Sequence, residues 1–241
     1  MLTNVRFASV VLDCDSTLSA VEGIEELAAE RRAEVSALTE AAMRGAVPLE
    51  EVYGRRLELI RPTRARVEAL GRLYVERLVP DAREVVAALG REGVVVRIVS
   101  GGLLPAVRAL ARELGLGDDA VAAVDVYFGG DGAYAGFDAS SPLARSGGKR
   151  EVLEAWDAEL PRPVLLVGDG ATDLEAAPVV DLFVAFAGVV DRPAVTGAAD
   201  VVVRAYTLAP VLALALGDTP PADPGSLALW RRGMALLGRR V

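Results

Sequence analysis

The chain has 241 residues, is 52% hydrophobic and carries a formal net charge of −8. So acidic a chain has no basic face for a nucleic-acid backbone, and with no run of about 20 uncharged apolar residues it offers no membrane span. It contains no histidine, which excludes histidine general bases, Ser-His-Asp triads, phosphohistidine chemistry and His-ligated zinc.

The first predicted element is a buried strand over residues 5–12, which runs at once into acids and so is not a secretory signal. It ends at Asp13-Cys14-Asp15-Ser16-Thr17-Leu18. Side chains on a strand alternate faces, so Asp13 and Asp15 project the same way from its tip while Cys14 points elsewhere. Two carboxylates so close repel, and a divalent cation is the usual remedy. Helical spacing follows at Val21, Ile24, Leu27 and Ala28 and continues past Leu38 and Met43 to Gly45. Pro48 begins a further helix to Ile60, Arg61-Pro62 breaks it, and Thr63 caps another through Val67, Leu70 and Tyr74. Residues 19–75 thus read as an all-helical block with no strand signal.

From Pro80 onward strands and helices alternate. Helices are predicted over 81–91, 103–114, 151–159 and 173–177, and strands over 94–99, 164–167, 182–186 and 201–203. Runs at 121–128 and 133–137 flank Gly129-Gly130-Asp131-Gly132, a hairpin by its turn residues. Such alternation predicts an α/β fold, a doubly wound parallel sheet with helices on both faces. The organisation expected is a core of residues 1–18 and 76–217, an inserted helical block over 19–75, and a Pro-rich linker with a C-terminal helix over 218–241. Leu227, Trp230, Met234, Leu237 and Val241 form one apolar stripe on that helix. Docking on the core is the expected use of the stripe, with a homodimer contact and then a membrane-surface helix as the alternatives.

In doubly wound sheets ligands bind beyond the carboxyl ends of the strands. Four segments fall there: Asp13 with Asp15, Ser100-Gly101-Gly102, Lys149, and Gly168-Asp169-Gly170-Ala171-Thr172-Asp173. Lys149 is the single lysine among 26 basic residues, so it marks a position that calls for a compact ammonium rather than a guanidinium fork. An aspartate is ionised at neutral pH and needs no base, which makes Asp13 a candidate nucleophile. Mg²⁺ held by Asp13, Asp169 and the backbone at Asp15 would offset the repulsion between that carboxylate and an anionic phosphate. Lys149 adds a second positive charge, and Ser100, Gly101 and Gly102 with the following helix start would cradle the phosphate oxygens. Asp15 is the candidate acid and base, Asp173 would hold Lys149, and Thr172 would line the phosphate loop. The lone cysteine, Cys14, has no arginine six residues on, since position 20 is Ala20, so it reads as packing. A single cysteine also suits a reducing, cytoplasmic setting.

These four segments, in this order, resemble the motifs of the haloacid dehalogenase superfamily. Within it the chain is similar to the phosphoserine phosphatases, through Glu22-Gly23-Ile24-Glu25-Glu26-Leu27-Ala28, Met43-Arg44-Gly45-Ala46-Val47-Pro48, Arg56-Leu57-Glu58-Leu59-Ile60-Arg61-Pro62, Tyr134-Ala135-Gly136-Phe137-Asp138 and Ser146-Gly147-Gly148-Lys149. The resemblance implies a helical cap over a Rossmann-like core, and Mg²⁺-dependent hydrolysis of L-phosphoserine through an aspartyl-phosphate. It further implies that Glu22 meets the substrate ammonium, Arg56 its carboxylate, and Met43 packs on it from the cap. Two features depart from the family pattern: Leu49 stands where an aromatic residue is common, and Phe186-Ala187-Gly188-Val189 replaces a segment usually carrying Gly-Gly-Asn. The alternatives are a sister phosphatase for another small phosphomonoester and, in a different class, a signalling receiver that keeps its aspartyl-phosphate.

Overall fold

The computed structural model describes residues 5–43 and 49–238. Strand β1 (Ser9–Leu12) is wholly buried, as its apolar run requires. The chain then enters four helices, α1 (Gly23–Ala28), α2 (Arg32–Met43), α3 (Leu49–Ile60) and α4 (Arg64–Glu76). The continuous helical spacing expected after Leu18 is interrupted, because Ala29 takes a left-handed φ of 25° and a 3₁₀ turn follows before α2. Gly45 and Pro48, expected at the end of one helix and the start of the next, lie outside the described residues. Thr63 caps α4 as expected, its side chain accepting from the Arg66 N–H.

The return from the helices pairs with the way in. Val79 donates to the Leu18 carbonyl and Ala20 to the Arg77 carbonyl, so both crossings lie side by side. Helix α5 (Ala82–Arg91) then leads to β2 (Val95–Leu103) and α6 (Leu104–Glu113). Strand β2 extends beyond the predicted residues 94–99, because Leu103 still pairs with Val124 across a bulge. The Ser100-Gly101-Gly102 segment therefore lies on the strand's extension rather than after it.

The single run predicted over 121–128 divides at Asp125 into β3 (Val121–Val124) and β4 (Val126–Phe128). Asp125 makes the corner: its carboxylate accepts from Val126 N–H at 2.9 Å and its carbonyl from Asp138 N–H at 3.0 Å. Strand β4 pairs antiparallel with β5 (Tyr134–Phe137), the predicted hairpin. The remaining elements are α7 (Gly148–Ala155), β6 (Val164–Gly168), α8 (Ala171–Ala176), β7 (Leu182–Phe186), α9 (Pro193–Thr196), β8 (Val201–Val203), α10 (Ala209–Leu216) and α11 (Pro224–Leu236).

Six strands form one parallel sheet in the order β3-β2-β1-β6-β7-β8, which is the predicted α/β class. Chain order reverses on either side of β1, and such a switch point opens a crevice at the carboxyl ends of the neighbouring strands. Helix α11 packs on α10 and α5. Trp230 and Met234 are buried, and the Trp230 indole donates to the Gly217 carbonyl at 3.2 Å. Among the described residues no helix is long and apolar enough to cross a membrane.

Candidate active site

The crevice holds a cavity of about 260 Å³. Asp13, Asp15, Glu22, Arg56, Ser100, Gly101, Lys149, Asp169 and Thr172, all singled out in the sequence, line it. The chain reaches this arrangement from three neighbouring strand tips and one helix start. The Asp13 N–H continues the sheet by donating to the Val167 carbonyl at 2.9 Å, which fixes its carboxylate beside the tip of β6. Gly168, at that tip, has no room for a side chain: a Cβ there would lie 2.1 Å from the Asp173 carboxylate carbon. Asp173 can fold back against the strand only because position 168 is glycine.

Lys149 occupies the first turn of α7, and its ammonium lies 2.8 Å from Asp13 Oδ1 and 2.7 Å from Asp173 Oδ1. The second Asp173 oxygen accepts from the Gly170 N–H at 3.0 Å. Lys149, Asp13, Asp169 and Asp173 are all buried, in a place where an unpaired charge would be strongly unfavourable. Burial disfavours the ammonium, but the charges of Asp13 and Asp173 more than offset it and hold the Lys149 pKa above its ordinary value. Burial likewise pushes Asp13 upward against the pull of Lys149.

Carboxylate oxygens of Asp13, Asp169 and Asp173 lie within 4.8 Å of one another. The two carboxylates expected at a metal, Asp13 and Asp169, are both in this group, with Asp173 beside them. The Asp15 carboxylate accepts from the Gly23 N–H at 3.3 Å. Burial and the nearby Glu22 charge raise its pKa to about 7. For Asp169, burial and the Asp173 charge raise the pKa to about 6, while Arg192 pulls the other way.

Ser100 is buried, and its Oγ accepts from the Gly102 N–H at 3.0 Å, which leaves the hydroxyl proton free. Arg56 has its Nε buried without a hydrogen-bond partner among the described residues, and burial lowers the pKa of the guanidinium. The Met43 and Leu49 side chains lie outside the described residues. Cys14 is fully buried, and burial followed by the charges of Asp15 and Asp13 pushes its thiol well up, which keeps it an inert packing group.

Comparison with known proteins agrees with this geometry. The family model for haloacid dehalogenase-like hydrolases matches residues 7–181. The chain belongs to that family. It is 40% identical over 187 residues to phosphoserine phosphatase of Bos taurus, covering 76% of this chain and 83% of the bovine one. Over 197 residues it is 38% identical to the chloroplastic phosphoserine phosphatase of Arabidopsis thaliana, with 80% and 67% covered. A substrate-bound phosphoserine phosphatase complex superposes with a TM-score of 0.71 at 27% identity, covering 86% of this chain and 98% of that one. Within the dehalogenase-like hydrolases this chain is therefore a phosphoserine phosphatase-like enzyme of the phosphoric monoester class.

Sequence reasoning did not single out Arg192, which lines the same cavity. Arg192 donates from Nε to Asp169 at 2.9 Å and from its terminal nitrogen to Glu22 at 2.8 Å. Glu22 also accepts from the Ser16 hydroxyl at 2.7 Å. One arginine among so many, before a proline that opens a short helix, carries no local signal.

Proposed function

We propose that the chain hydrolyses L-phosphoserine to serine and phosphate through an aspartyl-phosphate on Asp13. The observation that carries the reading is the buried Lys149 ammonium, 2.8 Å from Asp13 and 2.7 Å from Asp173, in a cavity shared with Asp15 and Arg56.

The donor set fits a hard divalent cation: buried carboxylate oxygens gathered within 4.8 Å, with no sulfur or nitrogen ligand in the group. Asp13 and Asp169 would hold Mg²⁺ together with the backbone at Asp15. When bound, the cation supplies positive charge to the phosphate and to Asp13, and so lowers the repulsion between them.

The protein's own groups then divide the reaction. The Asp13 carboxylate attacks phosphorus as the ester P–O bond breaks. Asp15, whose pKa burial and the Glu22 charge raise, is the group suited to pass a proton to the departing serine oxygen. It next takes a proton from the water that attacks the aspartyl-phosphate, which returns Asp13 and releases phosphate. Ser100, Gly101 and Lys149 donate to the phosphate oxygens, with Thr172 lining the loop.

Specificity rests on the other end of the cavity. Arg56, its Nε without a partner among the described residues, is suited to a substrate carboxylate, and Glu22 to an ammonium. A site that pairs both groups rejects phosphoesters lacking them by orders of magnitude. The buried Cys14 thiol is consistent with a reducing, cytoplasmic setting.

The test is a phosphate-release panel of phosphoserine, glycolate phosphate, glycerol phosphate and sugar phosphates, with and without Mg²⁺, on wild type and Asp13→Asn. Strong preference for phosphoserine, and its loss in a folded Asp13→Asn, is expected. Equal rates across the panel would overturn the substrate, and turnover by Asp13→Asn would overturn the nucleophile. A stable phosphoprotein formed once per chain, without further release, would point to a receiver instead.

A further inference from the structure

Helix α3 meets the phosphate segment at one atom pair. The Tyr53 hydroxyl donates to the Gly101 carbonyl at 2.9 Å, and the residue is only 6% exposed. That carbonyl belongs to the peptide group joining Gly101 to Gly102. The N–H of the same peptide group donates to Ser100 Oγ at 3.0 Å. One peptide unit is thus gripped at both ends, by a tyrosine from the helical block and by the serine that faces the phosphate.

We propose that Tyr53 is a positioning residue for phosphate recognition, acting on Ser100 through the Gly101–Gly102 peptide. A donor on a carbonyl polarises the peptide and strengthens its N–H as a donor, because hydrogen bonds in a chain reinforce one another in a low-dielectric interior. Ser100 Oγ accepts from that N–H, so its own proton is the more strongly offered outward. The pull on the carbonyl also fixes the rotation of the peptide plane, and with it the direction of the Ser100 hydroxyl.

Tyr53 is built for this. Burial raises its pKa far above neutrality, so the hydroxyl stays a proton donor. The ring is held by Phe137, at 5.4 Å between centroids and tilted by 52°, and by the Arg56 guanidinium 5.8 Å from its centre. The group that supports the phosphate end therefore also touches the arginine assigned to the carboxylate end. Contact of α3 with the core is needed for the hydroxyl to reach Gly101, which ties phosphate recognition to the position of the helices.

This inference rests on the phosphatase reading of the site, and the experiment separates the two. Tyr53→Phe removes the hydroxyl and keeps the ring. It is expected to lower kcat/KM about 5- to 20-fold, equally for phosphoserine and an aryl phosphate, and to weaken vanadate inhibition by a similar factor with little change in Tm. In a Ser100→Ala background the same substitution is expected to have almost no further effect, since the path runs through Ser100. Hydrogen exchange at the Gly102 amide, read without substrate, is expected to speed up in Tyr53→Phe. Wild-type kcat/KM and unchanged Gly102 exchange in Tyr53→Phe would overturn the inference, as would a loss that persists in full without Ser100. A wild type that releases no phosphate would instead overturn the reading of the site, with the exchange measurement still deciding the role of Tyr53 in holding the peptide.

Discussion

Lys149 reaches Asp173 at 2.7 Å although the two stand on different helices, the ammonium in the first turn of α7 and the carboxylate in the first turn of α8. The pair is fully enclosed and is shared with Asp13, so charge, length and shape at position 149 are all constrained.

Lys149→Arg is therefore expected to lower kcat at least 100-fold despite the conserved charge, because a planar fork cannot donate to Asp13 and Asp173 in the space of one nitrogen. Lys149→Ala strands buried carboxylates and is expected to cost about 3–5 kcal/mol in chemical denaturation. Near wild-type turnover by the arginine variant would refute the geometric argument.

The pH dependence follows from Asp15. Its folded pKa, about 7, lies above the ordinary carboxyl value of 3.8. A raised pKa stabilises the fold fully below the ordinary value, and that contribution is lost as pH rises through the folded one. Metal-free protein is thus expected to lose stability between about pH 4 and 7, at most about 4 kcal/mol from this group. Asp15→Asn should flatten the profile in a Tm-against-pH series.

Chelation offers a complementary measurement. Protein stripped with a chelator is expected to be inactive and to melt lower. Returning Mg²⁺ at about 100 times its dissociation constant should restore about 2.7 kcal/mol. A melting curve indifferent to Mg²⁺ would count against a cation among these carboxylates.

Arg56→Ala is expected to raise KM for phosphoserine by more than tenfold while changing kcat/KM for an aryl phosphate by less than about threefold, as loss of one charge-assisted carboxylate contact implies. Equal losses on both substrates would assign Arg56 to structure.

Outside the cavity lining, Trp230→Ala is expected to cost about 3–5 kcal/mol, a typical penalty for removing a large buried ring. The indole is buried and holds the Gly217 carbonyl, so it fastens α11 to the end of α10. Catalytic constants at a temperature where the variant stays folded should not change.

Much of the sheet was legible because most of its strands are short apolar runs followed by small or acidic residues, and parallel strands buried on both faces favour such runs. The acidic tips and the lone lysine were legible for a related reason, since charged groups at those places have few structural uses. Other features have no sequence mark. The break at Ala29 involves neither glycine nor proline, so periodicity ran straight through it. Asp125 turns the chain by bonding its own neighbours, which an apolar count over 121–128 does not register. The hydrogen bond from the Gly23 N–H to the Asp15 carboxylate is likewise a contact that only the fold creates. Arg192 and the Tyr53 hydroxyl act across distances of 23 to 170 residues in the chain, where spacing carries no information.

The tightness at Gly168 has a consequence for how this enzyme can vary. A single methyl there would displace the Asp173 carboxylate, and Lys149 would lose its anchor with nothing altered at the substrate itself. Tolerance to mutation in this molecule is thus graded by what a position props up, and a residue with no side chain at all can be among the least replaceable.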